Sequence, residues 1–123
     1  IKAMTTLQQY TVVCAPAPVQ WAGIRALDLD MSSYVKAYKK NRDACVSALS
    51  GRVKFPEPGG AFYIFPDVME DEDSFVERAI NEKQLLVVPG SIFCAERTRI
   101  RISYAASSET LERGLAAFVS LLK

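Results

Sequence analysis

The sequence contains no histidine, so it lacks the commonest general base and metal ligand of proteins. Neither a Ser-His-Asp nor a Cys-His hydrolase centre can be assembled from this chain alone, and a His-ligated zinc site is excluded with them. No apolar run approaches the roughly 18 residues of a membrane-spanning helix. A basic-then-apolar N-terminal segment, which would be typical of a secretory signal, is also missing.

An excess of charge of one sign is absent as well. Fifteen Lys and Arg residues oppose fourteen Asp and Glu residues, which leaves a formal net charge of +1. This balance argues against nucleic acid and against electrostatic attachment to a membrane, since both need a concentrated basic face. Cysteine is scarce: Cys14, Cys45 and Cys94 are odd in number and lack CxxC spacing. We expect them to be reduced, small and partly buried, in a cytoplasmic protein.

Size and composition are those of a globular protein. Half of the residues are hydrophobic and 24% are charged. A chain of 123 residues fits one domain, or one domain with a short overhang. Because the chain begins at Ile1 rather than Met, and its first helical stretch starts abruptly, we expect a piece excised from a longer protein.

Helices dominate the predicted first half. Short helices are expected at residues 2–9 and 19–27, separated by an extended segment in which Pro16 and Pro18 disfavour helical geometry. Asp28 and Asp30 introduce a long helix that ends before Gly51, a residue suited to a left-handed C-terminal cap. The apolar stripe of this helix comprises Met31, Tyr34, Val35, Tyr38, Cys45, Val46 and Leu49.

The second half alternates between strands and helices. Strands are expected at residues 53–55, 61–65, 85–88 and 99–104, which are β-prone runs bounded by Pro and Gly. The acidic residues 70–73 favour a helix N-terminus, and Ser107 or Ser108 caps the last helix. Three or four short strands with flanking helices, including a long helix towards the N-terminus, predict an α/β (α+β sandwich) fold. The buried stripe of the last helix comprises Leu111, Leu115, Phe118, Val119 and Leu122.

The basic residues Arg97, Arg99 and Arg101 are the first candidates for a binding site. Strand alternation places Arg99 and Arg101 on one face, opposite Ile100 and Ile102. Such a face can simply be solvated, or its guanidinium groups can grip a carboxylate through their planar fork. The pattern alone does not choose between these interpretations, or between the arginines.

Other motifs favour a structural role. Gly59-Gly60 could cradle a phosphate, but a turn with positive φ explains the pair better. The acidic residues 70–73 could bind a divalent cation, but they lack the spacing of a calcium loop. None of the seven lysines lies in an apolar run that would lower its pKa, so no Schiff-base lysine is evident. Cys14 could be a site residue, although burial is the expectation we prefer.

Five segments, which make up four motifs, together resemble class I/II pyridoxal-phosphate aminotransferases of the aspartate aminotransferase type. The tail resembles the family's C-terminal signature of a "VPG..F" loop followed by "RISYA". Further segments resemble its "P...Q", "RRD" and "P.GAFY" motifs, in the family's order over nearly the whole chain. The matching segments are Pro16–Gln20, Asn41–Asp43, Pro58–Tyr63, Val87–Phe93 and Arg101–Ala106.

The resemblance implies that residues 28–123 form the family's small C-terminal domain and that residues 1–27 are a remnant of the large domain and the interdomain segment. In this family the arginine of "RISYA", here Arg101, binds the substrate α-carboxylate. The resemblance also implies that the segment before the "P...Q" motif, here Val13 and Cys14, crosses the homodimer interface and contacts the partner's active site. The lysine and the other main ligands of pyridoxal 5'-phosphate lie in the large domain, so this chain alone should be inactive and hold no cofactor.

The implied reaction transfers an amino group between an amino acid and a 2-oxo acid. A lyase or synthase of the same fold would use the same carboxylate clamp, so the chain does not separate these reactions. A non-catalytic α/β interaction module is the alternative from another class. The substrate side chain is not specified by these residues.

Overall fold

A computed structural model of the chain describes residues 1–93 and 97–122. The chain divides into two compact units, Ile1–Ser32 and Ser33–Lys123. No helix within the described ranges is long and apolar enough to cross a membrane. Cys94, one of the three expected buried thiols, lies outside the described residues.

The first unit consists of two short helices with exposed side chains. Helix α1 spans Lys2–Thr11 and helix α2 spans Ala17–Ala26, and neither contains a buried residue. The extended segment between them is shorter than predicted, because α2 begins with Pro16 as its N-cap and includes Pro18 in its first turn. Proline is tolerated there, since the first N–H groups of a helix have no intrahelical acceptor. The expected burial of Cys14 is wrong, because the residue is exposed.

Three longer helices carry the second half of the chain. Helix α3 spans Ser32–Leu49, α4 spans Glu72–Lys83 and α5 spans Ser108–Leu121. The predicted caps are confirmed, because Ser107 caps α5 and Gly51 after α3 has a φ of 74°. The predicted helix start in the acidic residues 70–73 is also confirmed, and within it Asp71 accepts hydrogen bonds from the first turn of α4. Side-chain acceptors satisfy the free N–H groups of the first turn, which is why these residues fix where each helix begins.

Within residues 1–93 and 97–122, the sheet has three short strands, which confirms the predicted class of helices flanking a few strands. Strand β1 is Tyr63–Ile64, β2 is Val88–Pro89 and β3 is Ile100–Ser103. Their order is β1-β3-β2, and β3 pairs antiparallel with both neighbours. The strand predicted at residues 53–55 is wrong: the structure assigns none there, and Pro56 and Pro58 just beyond lack the N–H donors that would extend a ladder.

Positive φ occurs one residue later than predicted in the turn before β1. Ala61 has a φ of 59°, whereas Gly59 and Gly60 are not in the left-handed region. The break at Ala61 and the missing donor at Pro66 together shorten the predicted 61–65 strand to two residues.

One apolar core lies between the sheet and helices α3, α4 and α5. Ile100 and Tyr104 are buried and Ile102 is partly buried against the same cluster, so the predicted alternation of β3 is confirmed. On α3, only Cys45 and Leu49 are buried, and the apolar residues nearer its N-terminus are exposed. On α5, the predicted stripe is at least partly buried throughout, and Leu121 joins it.

Candidate functional site

The exposed face of β3 presents Arg101 at the centre of the sheet. In the antiparallel register, Arg101 is opposite Val88 of β2, and Ser103 is opposite Tyr63 of β1. Side chains opposite one another across strands share a face, so these four residues project away from the core that Ile100 enters. Arg101 is half-buried there.

Two aromatic rings hold the Arg101 guanidinium. Its central carbon lies over the Tyr63 ring at 4.5 Å from the centroid, and over the Phe93 ring at 4.1 Å. A cation–π contact attracts the cation without occupying its N–H donors. Within the described ranges, the Arg101 guanidinium makes no hydrogen bond or ion pair. Its donors are therefore available to an anion, while the two rings fix its position.

The neighbouring arginines have different surroundings. Arg97 is exposed and forms ion pairs with Asp71 at 3.4 Å and Asp73 at 2.5 Å, and the hydrogen bond to Asp73 raises the pKa of Arg97. Arg99 is half-buried, and its backbone forms an isolated bridge with Asp67. The three arginines that the sequence grouped together therefore differ in exposure and in the residues that they contact.

A short turn, the 90–93 loop (Gly90 to Phe93), brings Phe93 to the arginine. Gly90 N donates to the Arg99 carbonyl at 2.7 Å, and a Cβ at Gly90 would lie only 2.4 Å from that oxygen. Real Cβ atoms do not approach a carbonyl so closely, so this position requires glycine. The loop therefore runs directly against the start of β3.

Through Glu72, helix α4 contacts the chain both within this loop, at Ser91, and after it, at Arg97. The Ser91 N–H donates to Glu72 Oε2 at 2.9 Å, and the Glu72 N–H donates to the Arg97 carbonyl at 2.9 Å. The Glu72 side chain is fully buried, and hydrogen bonding by Ser91 lowers the pKa of its carboxyl against the opposing effect of burial. Sequence reasoning placed Glu72 only among the acidic residues of a helix start. Its spacing of three and seven from the buried Phe75 and Ala79 was the available signal.

Asn41 fixes the far end of β3. Its side-chain amide donates to the carbonyls of Tyr104 and Ala106, both at 2.9 Å. The Tyr104 hydroxyl donates to the Ala61 carbonyl at 3.1 Å, and burial raises the pKa of this phenol. The sequence analysis named Asn41 only as part of a family motif and did not predict its hydrogen bonds to the end of β3.

An apolar cavity of about 260 Å³ adjoins Arg101. Residues 85–88 form one wall and helix α5 forms the other, with Arg101 and Ser103 at the polar side. An apolar wall lowers the local dielectric, which strengthens the interaction between a guanidinium and an anion.

The other predicted site residues, Val13 and Cys14, belong to the first unit. Val13 has a φ of 60°, and both residues are exposed in the turn after α1. Cys45, in the second unit, is a core residue, and its burial raises the thiol pKa to about 11.

Comparison with known proteins identifies relatives over almost the whole chain. The family model described as aminotransferase class I and II matches residues 1–118. The chain is 38% identical over 114 residues to an aspartate aminotransferase of Thermotoga maritima, covering 92% of this chain and 30% of that protein. A probable aspartate aminotransferase of Methanocaldococcus jannaschii is 35% identical over 120 residues, covering 94% of this chain and 32% of that protein.

Solved structures agree with this result. The Thermotoga maritima aspartate aminotransferase superposes with a TM-score of 0.86 at 36% identity, covering 98% of this chain and 32% of that one. An aromatic aminotransferase from Pyrococcus horikoshii gives 0.82 at 30% identity, covering 98% and 35%. The chain thus spans about a third of the length of these relatives. With sequence and fold in agreement, this chain belongs to the class I and II aminotransferase family.

Proposed function

We propose that this chain is the small C-terminal domain of a pyridoxal-phosphate-dependent aminotransferase and that Arg101 binds the α-carboxylate of its substrate. The observation that carries this proposal is the Arg101 guanidinium, which lies over two rings and keeps its hydrogen-bond donors unoccupied by described residues. A planar guanidinium binds a carboxylate with two parallel hydrogen bonds. Such a pair fixes the amino acid so that its reacting Cα–H bond has one orientation.

The cofactor would be held outside this chain. Pyridoxal phosphate attached to lysine provides the electron sink for amino-group transfer. The six lysines within the described ranges are all exposed, so none has the enclosed setting that such an attachment requires. The described residues therefore do not fit the cofactor, and the role assigned to this chain is to bind and orient the substrate carboxylate.

The remaining assignments follow from the same proposal. Residues 1–27 belong with the large domain, and residues 28–123 form the small domain. In a homodimer, the turn at Val13 and Cys14 contacts the partner's active site. The exposure of that turn and its positive φ support a contact role, because strained exposed backbone is common at functional sites. The free exposed thiol of Cys14 supports a cytoplasmic location, where thiols stay reduced.

Kinetics of arginine variants in the whole protein test the clamp. With aspartate and a 2-oxo acid as the first substrates assayed, Arg101→Ala should lower kcat/KM by about 30- to 5,000-fold, which is the cost of truncating one member of a buried charge pair. Arg101→Lys keeps the charge but loses the fork, so it should also be impaired. Arg97→Ala and Arg99→Ala are the matched controls and should matter less. Near-normal kcat/KM for Arg101→Ala, with a large loss for either control, would show that another arginine binds the carboxylate.

A further inference from the structure

We infer that Glu72 is a positioning residue for the carboxylate site: its buried carboxylate holds the 90–93 loop so that Phe93 stays against Arg101. This inference rests on the proposed function only where it concerns substrate. The structural part, that Glu72 sets the contact between Phe93 and Arg101, stands on the contacts within this chain.

The first step is the anchoring of the loop. Glu72 Oε2 accepts the Ser91 N–H at 2.9 Å, two residues before Phe93. The backbone N–H of the same residue donates to the Arg97 carbonyl at 2.9 Å, so one residue of α4 holds the chain on both sides of Phe93. The Phe93 N–H donates to the Gly90 carbonyl at 2.8 Å, which closes the turn between these contacts.

The second step is burial. Glu72 is a fully buried carboxylate, although other residues at the start of α4, such as Asp71 and Asp73, are exposed. A buried carboxylate is costly unless it is hydrogen-bonded, so its presence in the core calls for a specific role. A helix start needs only a cap, and Asp71 already supplies it by accepting from the N–H groups of Asp73 and Ser74. The Glu72 carboxylate is therefore not required for capping and acts on the loop.

The third step links the loop to the arginine. Phe93 is half-exposed, at 49% of its possible surface, so core packing does not fix its ring. Among the described residues, the ring makes a cation–π contact with Arg101, whose central carbon is 4.1 Å from its centroid, and an edge-on aromatic contact with Phe65 at 6.0 Å between centroids. The position of this ring thus depends on the backbone of the loop, which the Gly90 hydrogen bond to Arg99 holds at its start and Glu72 holds at Ser91, nearer to Phe93.

Nuclear magnetic resonance on the 15N-labelled chain tests the structural part directly. The Arg101 Nε–Hε signal should carry a ring-current shift from Phe93, and Phe93→Leu defines its position without that ring. Glu72→Ala should move the signal towards the Phe93→Leu position, whereas Glu72→Gln, which keeps an acceptor oxygen, should not. Glu77→Ala is the matched control, because Glu77 is an exposed carboxylate on the same helix. If Glu72→Ala fails to fold, Glu72→Asp replaces it, because the aspartate side chain is one methylene shorter and its carboxylate does not reach the Ser91 N–H.

Kinetics in the whole protein give the second readout. Glu72→Ala should raise KM for the amino acid by about 2- to 30-fold, the effect expected when a cation–π contact is lost, with a smaller change in kcat. Glu72→Gln should restore most of the affinity.

The two proposals fail separately. An unshifted Arg101 signal in folded Glu72→Ala or Glu72→Asp overturns the positioning role, whatever the kinetics show. A shifted signal with an unchanged KM, together with an active Arg101→Ala enzyme, instead overturns Arg101 as the clamp.

Discussion

The guanidinium carbon of Arg101 lies 4.5 Å from the centroid of the Tyr63 ring, which reaches it from the neighbouring strand β1. In the register of the sheet, Tyr63 pairs with Ser103, so its ring meets Arg101 on the diagonal. Long side chains make such diagonal contacts across antiparallel strands. The contact depends on the ring and not on the phenol hydroxyl, which leads to the first prediction.

Tyr63→Phe should leave substrate affinity in the whole protein nearly unchanged, whereas Tyr63→Leu should raise KM for the amino acid by about 2- to 30-fold. The reason is that phenylalanine keeps the aromatic face and leucine removes it. Steady-state kinetics of both variants measure the difference. If Tyr63→Phe raised KM as much as Tyr63→Leu, the contribution would come from the hydroxyl and not from the ring.

Asn41→Ala should lower the free energy of unfolding by about 1–3 kcal/mol, because two carbonyl acceptors lose their donor. Asn41→Asp should be worse at neutral pH, since a carboxylate cannot donate to the Tyr104 and Ala106 carbonyls. Urea unfolding of the isolated chain measures both. Asn81→Ala, at an exposed position of α4, is the matched control and should change stability by less than about 0.5 kcal/mol.

Cys45 should make the chain less stable at alkaline pH. Burial raises the pKa of its thiol from an ordinary value of 9.0 to about 11, so the folded state binds the proton more tightly than the unfolded state. The contribution of the protonated Cys45 thiol to the free energy of unfolding is complete below about pH 9. It is lost as pH rises to about 11, and the total loss is about 2–3 kcal/mol.

Urea unfolding of the chain and of Cys45→Ala between pH 8 and pH 11 measures this difference. The original chain should lose more stability over that interval than the variant. Parallel curves for the two proteins would contradict the assignment. In native protein on a Cys94→Ser background, a thiol reagent should label the exposed Cys14 and spare Cys45.

Residues 1–32 should contribute little to the stability of the core. None of them is buried, and the core cluster begins at Cys45. Deleting them should change the free energy of unfolding of the second unit by less than about 1 kcal/mol. The deletion should also reduce self-association, because α1, α2 and their connections expose large apolar side chains, including Leu7, Trp21, Ile24 and Leu27. Urea unfolding and sedimentation velocity test the two expectations, and a strictly monomeric full chain would contradict the second.

The chain alone should not bind pyridoxal phosphate at a specific lysine. Its described lysines are exposed, and exposed amines form only weak, nonspecific imines with the aldehyde. Borohydride reduction followed by peptide mapping should find scattered, substoichiometric labelling. A stoichiometric adduct on one lysine would place a cofactor site within this chain.

Local patterns predicted the helix ends near Asp71, Ser107 and Gly51 and the faces of β3, because caps and alternation act over a few residues, whereas the end of α1 and the start of α2 differ from the prediction by about two residues. Asp71, Ser107 and Gly51 each behave as their chemistry indicates. The contact between Phe93 and Arg101 and the anchoring by Glu72 could not be derived this way, since they depend on how separate elements meet in the fold. The family motifs include Arg101, Tyr63 and Phe93, but they did not indicate that the two rings contact the arginine, and they do not include Glu72.

The surroundings of Arg101 come from three separate parts of the chain: β1, the 90–93 loop and β3 itself. Closing such nonlocal contacts carries a loop-entropy cost, and β pairing of this kind forms slowly. The full ring-current shift at Arg101, with contributions from both Tyr63 and Phe93, therefore appears only when both β1 and the 90–93 loop have docked on β3. In a refolding experiment, the Arg101 Nε–Hε chemical shift therefore reports when the sheet is complete.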